Sequence, residues 1–258
     1  MITLAVSYFE DSLDRKSNLE KFLNYWKKYP VIIDIEECDT FTPLMEVYNR
    51  IANRCNTEHI AFTDVDVYFD YDQLEKSIGV ADFVNPFDTI YDVRDGIEVL
   101  QKKDDLHGKI LGNISFERYA KTVGKNIDNQ EKTRFGWNLD IDWNTPFFVG
   151  LCVLTKLETF YEFGMGNEYF KVWGGADDEW YARAITLGYS WKNVEGNIYH
   201  NYHGKSNVSS PRLIRNNMIE LYKSISFEQD ELKDYINSWP WVINKKRKRF
   251  NDNTSSNK

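Results

Sequence analysis

The chain has 258 residues, 42% of them hydrophobic and 16% aromatic, which is enough to bury one large core and too apolar for an extended disordered chain. A formal net charge of −8 excludes a general nucleic-acid binder, because phosphate contacts need clustered Lys and Arg; a phosphorylated ligand stays compatible when a cation mediates. Cys38, Cys55 and Cys152 lack CxxC spacing, so they predict neither a disulfide framework nor a zinc site, and this fits a reducing compartment.

Residues 2–9 predict a buried strand. They lack the basic flank and long apolar core of a signal peptide, and no apolar run approaches the roughly 20 residues that span a bilayer. A cytoplasmic protein, at most peripheral to a membrane, is expected. Ser17 and Glu20 form a capping box that predicts a helix, with Leu19, Phe22, Leu23 and Trp26 on one face. Residues 31–35 predict a second strand. Thr42 with Pro43 predicts a second helix, whose inner face carries Leu44, Val47, Tyr48 and Ile51. A third strand over 59–62 runs into Thr63-Asp64-Val65-Asp66. Strand, helix, strand, helix, strand predicts a parallel sheet with right-handed crossovers, and ligands gather at the carboxyl ends of such strands.

Residues 95–145 are irregular and charged, and read as an excursion that forms an acceptor loop. Pattern returns as a strand over 147–154, a short helix over 156–163 and a Gly-punctuated loop over 164–175. A helix over 177–187, strands over 189–194 and 197–199, and a helix from Ser210-Pro211 through Tyr222 complete the reading.

Three segments hold residue types suited to chemistry. Asp64 and Asp66 stand at a strand end, where carboxylates suit a hard cation such as Mg²⁺ or Mn²⁺ bridging diphosphate oxygens. A D-x-D tripeptide alone says little, since Asp70-Tyr71-Asp72 and Asp140-Ile141-Asp142 also occur and a strand end with two solvated acids is the plain alternative. Trp173-Gly174-Gly175-Ala176-Asp177-Asp178-Glu179 joins two conformationally free glycines to three acids that open a helix. Helix capping explains part of this, because acids favour a helix N-terminus. His200-Asn201-Tyr202-His203-Gly204 holds two of the four histidines and offers metal or phosphate contacts.

Together, Phe62-Thr63-Asp64-Val65-Asp66, Trp173-Gly174-Gly175-x-Asp177-x-Glu179 and the downstream histidine resemble the GT-A glycosyltransferases. The nearest likeness is to the β-1,4-galactosyltransferases and the related N-acetylgalactosaminyl and chondroitin-type transferases. Residues 15–23 resemble that family's first helix, Tyr48-Asn49-Arg50 its F-N-R segment, and the stretch from Phe147-Phe148-Val149-Gly150 to Trp173 its approach to W-G-G-E-D. The resemblance implies a Rossmann-like α/β fold, with a mixed, mostly parallel sheet flanked by helices. It also implies one catalytic domain over 1–225, with a nucleotide-binding half (1–94) and an acceptor-binding half (95–225), followed by a C-terminal helix and tail (226–258).

By the same resemblance Asp66 and His203 ligate Mn²⁺ or Mg²⁺, with His200 and Asp64 in reserve. Asp64 touches the donor ribose or a metal-bound water, Arg50 faces the nucleotide, and Trp173, Gly174 and Gly175 lie beside the sugars. Asp177 is the catalytic base, with Asp178 and Glu179 in reserve. The implied activity is an inverting transfer of a Gal, GalNAc or Glc-type sugar from a UDP-sugar to a glycan or lipid-linked acceptor. Ala176 replaces the family's Glu, and the family's cysteine bridges and membrane anchor are missing, which points to a cytoplasmic microbial or viral relative.

Two other readings fit parts of the chain. Asp64-Val65-Asp66-Val67 partly matches the D-x-D-x-T/V motif of haloacid-dehalogenase-like phosphatases, in which Asp177-Asp178 would hold Mg²⁺. That motif normally lies on the first strand. The other reading is a nucleotide-sugar-binding domain without turnover. At the C-terminus, Trp239-Pro240-Trp241 precedes Lys245-Lys246-Arg247-Lys248-Arg249-Phe250. Aromatic and basic residues over 239–250 suit an anionic membrane surface, at about 1 kcal/mol per basic residue; alternatively the tryptophans pack on the domain. Residues 251–258 are expected to be disordered.

Overall fold

In the computed structural model, every residue is described except 11, 40, 41, 95, 104–149, 172, 173, 204–210 and 247–258. Strand β1 (Ile2–Tyr8) is buried along nearly its whole length. It lies between β2 (Val31–Glu37) and β3 (His59–Thr63), and pairs with both in parallel. The crossovers are α1 (Leu13–Trp26) and α2 (Leu44–Arg54). Helix α1 buries Asn18, Phe22 and Trp26, the four-residue spacing of a single helical stripe. Helix α2 buries Met45, Val47, Tyr48, Asn49, Ile51 and Ala52.

Both helix starts differ from the sequence expectation. Helix α1 begins at Leu13, because Ser12 in extended backbone accepts from the Arg15 N–H at 3.3 Å, and Ser17 is interior. Helix α2 begins at Leu44 with Pro43 at the cap, because the Thr42 N–H and hydroxyl both bond Asp39.

The main sheet continues through β8 (Cys152–Lys156), β5 (Phe83–Asn85) and β9 (Trp191–Asn193), in the order β2-β1-β3-β8-β5-β9. Only β8 runs against the others among these six strands. The expected α/β class, with a mixed, mostly parallel sheet between helices, is thus what the chain forms. Helices α3 (Tyr71–Ser77), α4 (Leu157–Glu162), α5 (Ala176–Leu187), α6 (Pro211–Ser226) and α7 (Gln229–Asn237) complete the helical layers among the described residues.

A second sheet, unforeseen in the sequence, has the order β4-β10-β6-β7. It joins β4 (Val67–Tyr68), β10 (Asn197–Asn201), β6 (Thr89–Arg94) and β7 (Ile97–Lys103). Strand β7 falls in the stretch read as irregular, and Gly96 (φ 77°) turns the β6–β7 hairpin. The remainder of that stretch and the expected strand start at 147–149 lie outside the described residues.

Apolar packing between sheet and helices centres on Phe62, Phe160 and Trp180, with ring centroids 4.6 to 5.8 Å apart. Burial of each such side chain contributes about 1.5–3 kcal/mol. Arg183 carries the one fully buried guanidinium among the described residues. Its Nε and Nη2 donate to Glu179 at 2.8 and 3.1 Å, and its Nη1 donates to the carbonyls of Phe163 and Met165. The Ser224 hydroxyl donates to the same Glu179 carboxylate at 2.9 Å. One buried charge pair therefore ties α5 to α6 and to the loop after α4.

Trp239 is fully buried with Leu232, Ile236 and Val242, and Trp241 packs beside it. The tryptophans of the tail thus face the domain, while 247–250 lie outside the described residues. Among the described residues no helix is long and apolar enough to cross a membrane.

Candidate functional site

Strand β3 delivers Asp64-Val65-Asp66 to the carboxyl end of the main sheet. Val65 is buried in the core, so its two acidic neighbours are turned to other surroundings. The segment is anchored by Leu151, whose carbonyl accepts from the Asp64 N–H and the Thr63 hydroxyl, both at 3.2 Å. Leu151 itself has φ 56°, a conformation costly for a branched side chain, and it follows Gly150 at φ 89°. Asn85, fully buried, donates to the carbonyls of Gly150 and Cys152 and so fixes this strained entry into β8.

The second sheet brings the histidines to the same place. In register, His200 of β10 lies beside Val67 of β4 on one side and Asp92 of β6 on the other. The Asn201 N–H donates to the Asp66 carbonyl at 2.7 Å, locking the two segments together. His203 Nε2 then stands 3.2 Å from Asp66 Oδ2, and His200 Nε2 stands 4.0 Å from Asp66 Oδ1. One ligating atom from each of Asp66, His200 and His203 lies within 4.8 Å of the others.

This set fits a divalent cation. Asp66 is almost wholly buried, and its Oδ1 makes no hydrogen bond among the described residues, an expensive state for a carboxylate oxygen without a ligand. Two imidazoles and one carboxylate suit Mn²⁺ better than Mg²⁺, which prefers oxygen. Asp64 is not in the cluster. Its carboxyl is pushed well up by burial, with Asp66 and Asp177 adding to the effect and Arg15 opposing it.

Within electrostatic reach of Asp64 is the start of α5. Gly174 and Gly175 both adopt positive φ, 108° and 81°, which only glycine takes up readily. A Cβ on Gly175 would stand 2.7 Å from Met218 Cε, and Asn217 donates to the Gly174 carbonyl. The paired glycines therefore make the turn and the packing that aim the first helical residues. Asp177 results, partly exposed, with its carboxylate laid over Gly150: a Cβ there would stand 2.6 Å from Oδ2. Burial, and then Asp178, push the Asp177 carboxyl up to about 7. Burial pushes the Tyr48 hydroxyl well up, with Asp64 and Asp177 adding to it and a hydrogen bond with Ser7 opposing it.

The other expected site residues are distributed differently. Asp178 sits beside Asp177 and acts on it through charge. Glu179 is corrected from a reserve base to a structural residue, because Arg183 and Ser224 occupy its carboxylate in the core. Arg50 is half-exposed and pairs with Glu36 at 3.0 Å and with Glu46, one turn away on its own helix. Trp173 lies outside the described residues.

Four site residues had no role from sequence: Arg15, Tyr48, Asp92 and Gly150. Arg15 Nη2 lies 3.3 Å from His203 Nδ1. Its signal was a cation in the first turn of a helix that follows a strand's carboxyl end. Tyr48 reads as a core residue by periodicity, and it is one as well. Gly150 enters only as part of the Phe147-Phe148-Val149-Gly150 resemblance, and Asp92 carries no local signal.

No family model matches the chain, and no curated protein matches it. Among solved structures it aligns with GalNAc-T7 in complex with UDP, GalNAc and Mn²⁺, at a TM-score of 0.53 and 13% identity. That alignment covers 98% of this chain and 55% of the other, so the chain spans about half the length of that neighbour. S. aureus TarS 1–349 in complex with UDP-GlcNAc aligns at a TM-score of 0.51 and 10% identity, over 91% of this chain and 70% of that one. The catalytic domain of Drosophila β1,4-galactosyltransferase 7 with xylobiose aligns at 0.45 and 15% identity, over 83% and 79%, too loosely to argue from. The first two establish the fold, which is GT-A.

Proposed function

We propose that this chain is a metal-dependent, inverting glycosyltransferase that moves a sugar of the Gal, GalNAc or Glc type from a UDP-sugar to a glycan acceptor. The observation that carries the reading is the Asp66, His200 and His203 cluster at the carboxyl end of a GT-A sheet, with Asp64 in electrostatic reach of both Asp66 and Asp177. The two neighbours that share the fold were solved with UDP and Mn²⁺ and with UDP-GlcNAc, which supports a nucleotide-sugar donor here. Residues 1–94 would carry the donor and residues 95–225 the acceptor.

Asp66, His200 and His203 would hold the cation, Mn²⁺ in preference to Mg²⁺. When bound, that cation supplies Lewis-acid stabilisation of the charge that develops on the leaving diphosphate. Arg15 adds a fixed positive charge on the same side, within reach of Asp64 and His203. Asp64 would contact the donor. Asp177 would take the face opposite the diphosphate, and its carboxyl near 7 is matched to accepting a proton from an acceptor hydroxyl at neutral pH, a contribution of about 10²–10⁴-fold. A base opposite the leaving group gives inversion at the sugar carbon.

Calorimetric titration of UDP with and without Mn²⁺ tests the reading, with Asp66→Ala alongside. Metal-dependent binding that the variant loses by 10-fold or more is expected, and a UDP-sugar hydrolysis screen then identifies the donor. No binding of UDP in the presence of metal would refute the uridine donor. Binding without any hydrolysis or transfer would leave a nucleotide-sugar-binding domain.

A further inference from the structure

The two histidines of the cluster are not equivalent. His200 Nδ1 lies 3.0 Å from Asp92 Oδ1, and a carboxylate can only accept, so Nδ1 carries the hydrogen. Nε2 of His200 is then the lone-pair nitrogen, and it is the one turned toward Asp66. For His203 the logic reverses. A guanidinium can only donate, so Arg15 Nη2 at 3.3 Å makes Nδ1 of His203 the acceptor. Its Nε2 hydrogen then points at Asp66 Oδ2, 3.2 Å away.

We infer that Asp92 is a positioning residue that holds His200 ready to bind the cation, with Nε2 unprotonated and aimed at the buried Asp66 oxygen. This rests on the cation site proposed above. The sheet register supports it, since β6 and β10 run in parallel with Asp92 directly opposite His200, 108 residues away in sequence. Asp92 is half-exposed at 48% and so has no share in the core. A carboxylate behind a metal-binding imidazole fixes the ring's tautomer and raises its basicity, and losing such a partner typically weakens metal affinity about 10–100-fold. His203, by contrast, must give up its hydrogen bond to Asp66 and its acceptance from Arg15 before Nε2 can ligate.

The test uses Mn²⁺ alone, with free ion counted by electron paramagnetic resonance and no nucleotide present. Asp92→Ala is expected to weaken Mn²⁺ binding about 10–100-fold. Asp92→Asn, whose amide oxygen still accepts from Nδ1, keeps most of the affinity. Asp92→Ala added to His200→Ala produces no further loss, because Asp92 acts through that ring. Melting of the metal-free proteins is unchanged by Asp92→Ala. Long-range ¹H–¹⁵N spectra of metal-free protein show His200 as the Nδ1–H tautomer, and a mixture in Asp92→Ala.

The inference is overturned if Asp92→Ala leaves Mn²⁺ affinity intact, if it weakens binding equally without His200, or if wild-type His200 is the Nε2–H tautomer. A failure of the cation site itself looks different: Asp66→Ala then leaves Mn²⁺ binding unchanged as well.

Discussion

Replacing Asp177 with Asn separates stability from activity, and the structure predicts the sign of each. Burial and Asp178 lift this carboxyl from 3.8 to about 7, so folding favours its protonated form. The stability this group contributes is therefore complete below about pH 3.8 and is lost as pH rises through about 7. A shift of about three pKa units corresponds to about 4 kcal/mol at most. Partial exposure of Asp177 roughly halves this, and the favourable effect of an acid in the first turn of α5, about 0.5 kcal/mol, subtracts from it. Asp177→Asn is expected to be more stable than wild type by about 1–2 kcal/mol at pH 8, equivalent to a melting increase of roughly 3–6 °C in a chain of this size. Near pH 4 the difference vanishes. Urea melts of both proteins at pH 4, 6 and 8 measure this directly. Transfer or donor hydrolysis falls about 10²–10⁴-fold in the same variant, and wild-type kcat/KM rises with pH to a plateau above about 7. A pH-independent stability difference would refute the claim that a desolvated carboxylate sits there, and unchanged turnover would refute its role as base.

Two further substitutions test the scaffold around that residue. Gly150→Ala forces a Cβ to within 2.6 Å of the Asp177 carboxylate at φ 89°. It should cost about 1–2 kcal/mol in melts and lower kcat at least 10-fold with the fold retained, as judged by circular dichroism and kinetics. Arg183→Ala leaves Glu179 charged and unpaired in the core, at a cost of about 3–5 kcal/mol, and a melting temperature roughly 10 °C lower by calorimetry checks it.

Much of the fold was legible because it rests on local periodicity. The alternation of apolar strands with three-to-four spaced helices through residue 63 specified β1, α1, β2, α2 and β3, and with them the strand end that carries Asp64 and Asp66. The acids opening α5 were legible for the same reason, since a Gly-Gly turn and a helix start are both local events. The boundaries were less so: Ser12 outcompetes Ser17 as a cap because nothing between them breaks a helix. Glu179 stood in reserve to Asp177 in sequence, yet two positions along a helix turns a side chain by about 200°, and Glu179 lies in the core.

The sequence by itself determined which side chains are present and the local segments that carry them: two acids after a strand, two histidines three positions apart, an acid after two glycines. Only the tertiary structure decided which of these meet. Pairing of β10 with β4 and β6 brings His200 to Asp66 and Asp92. The register of those strands depends on which faces are buried across the whole sheet, a cooperative property of distant segments that no local pattern encodes.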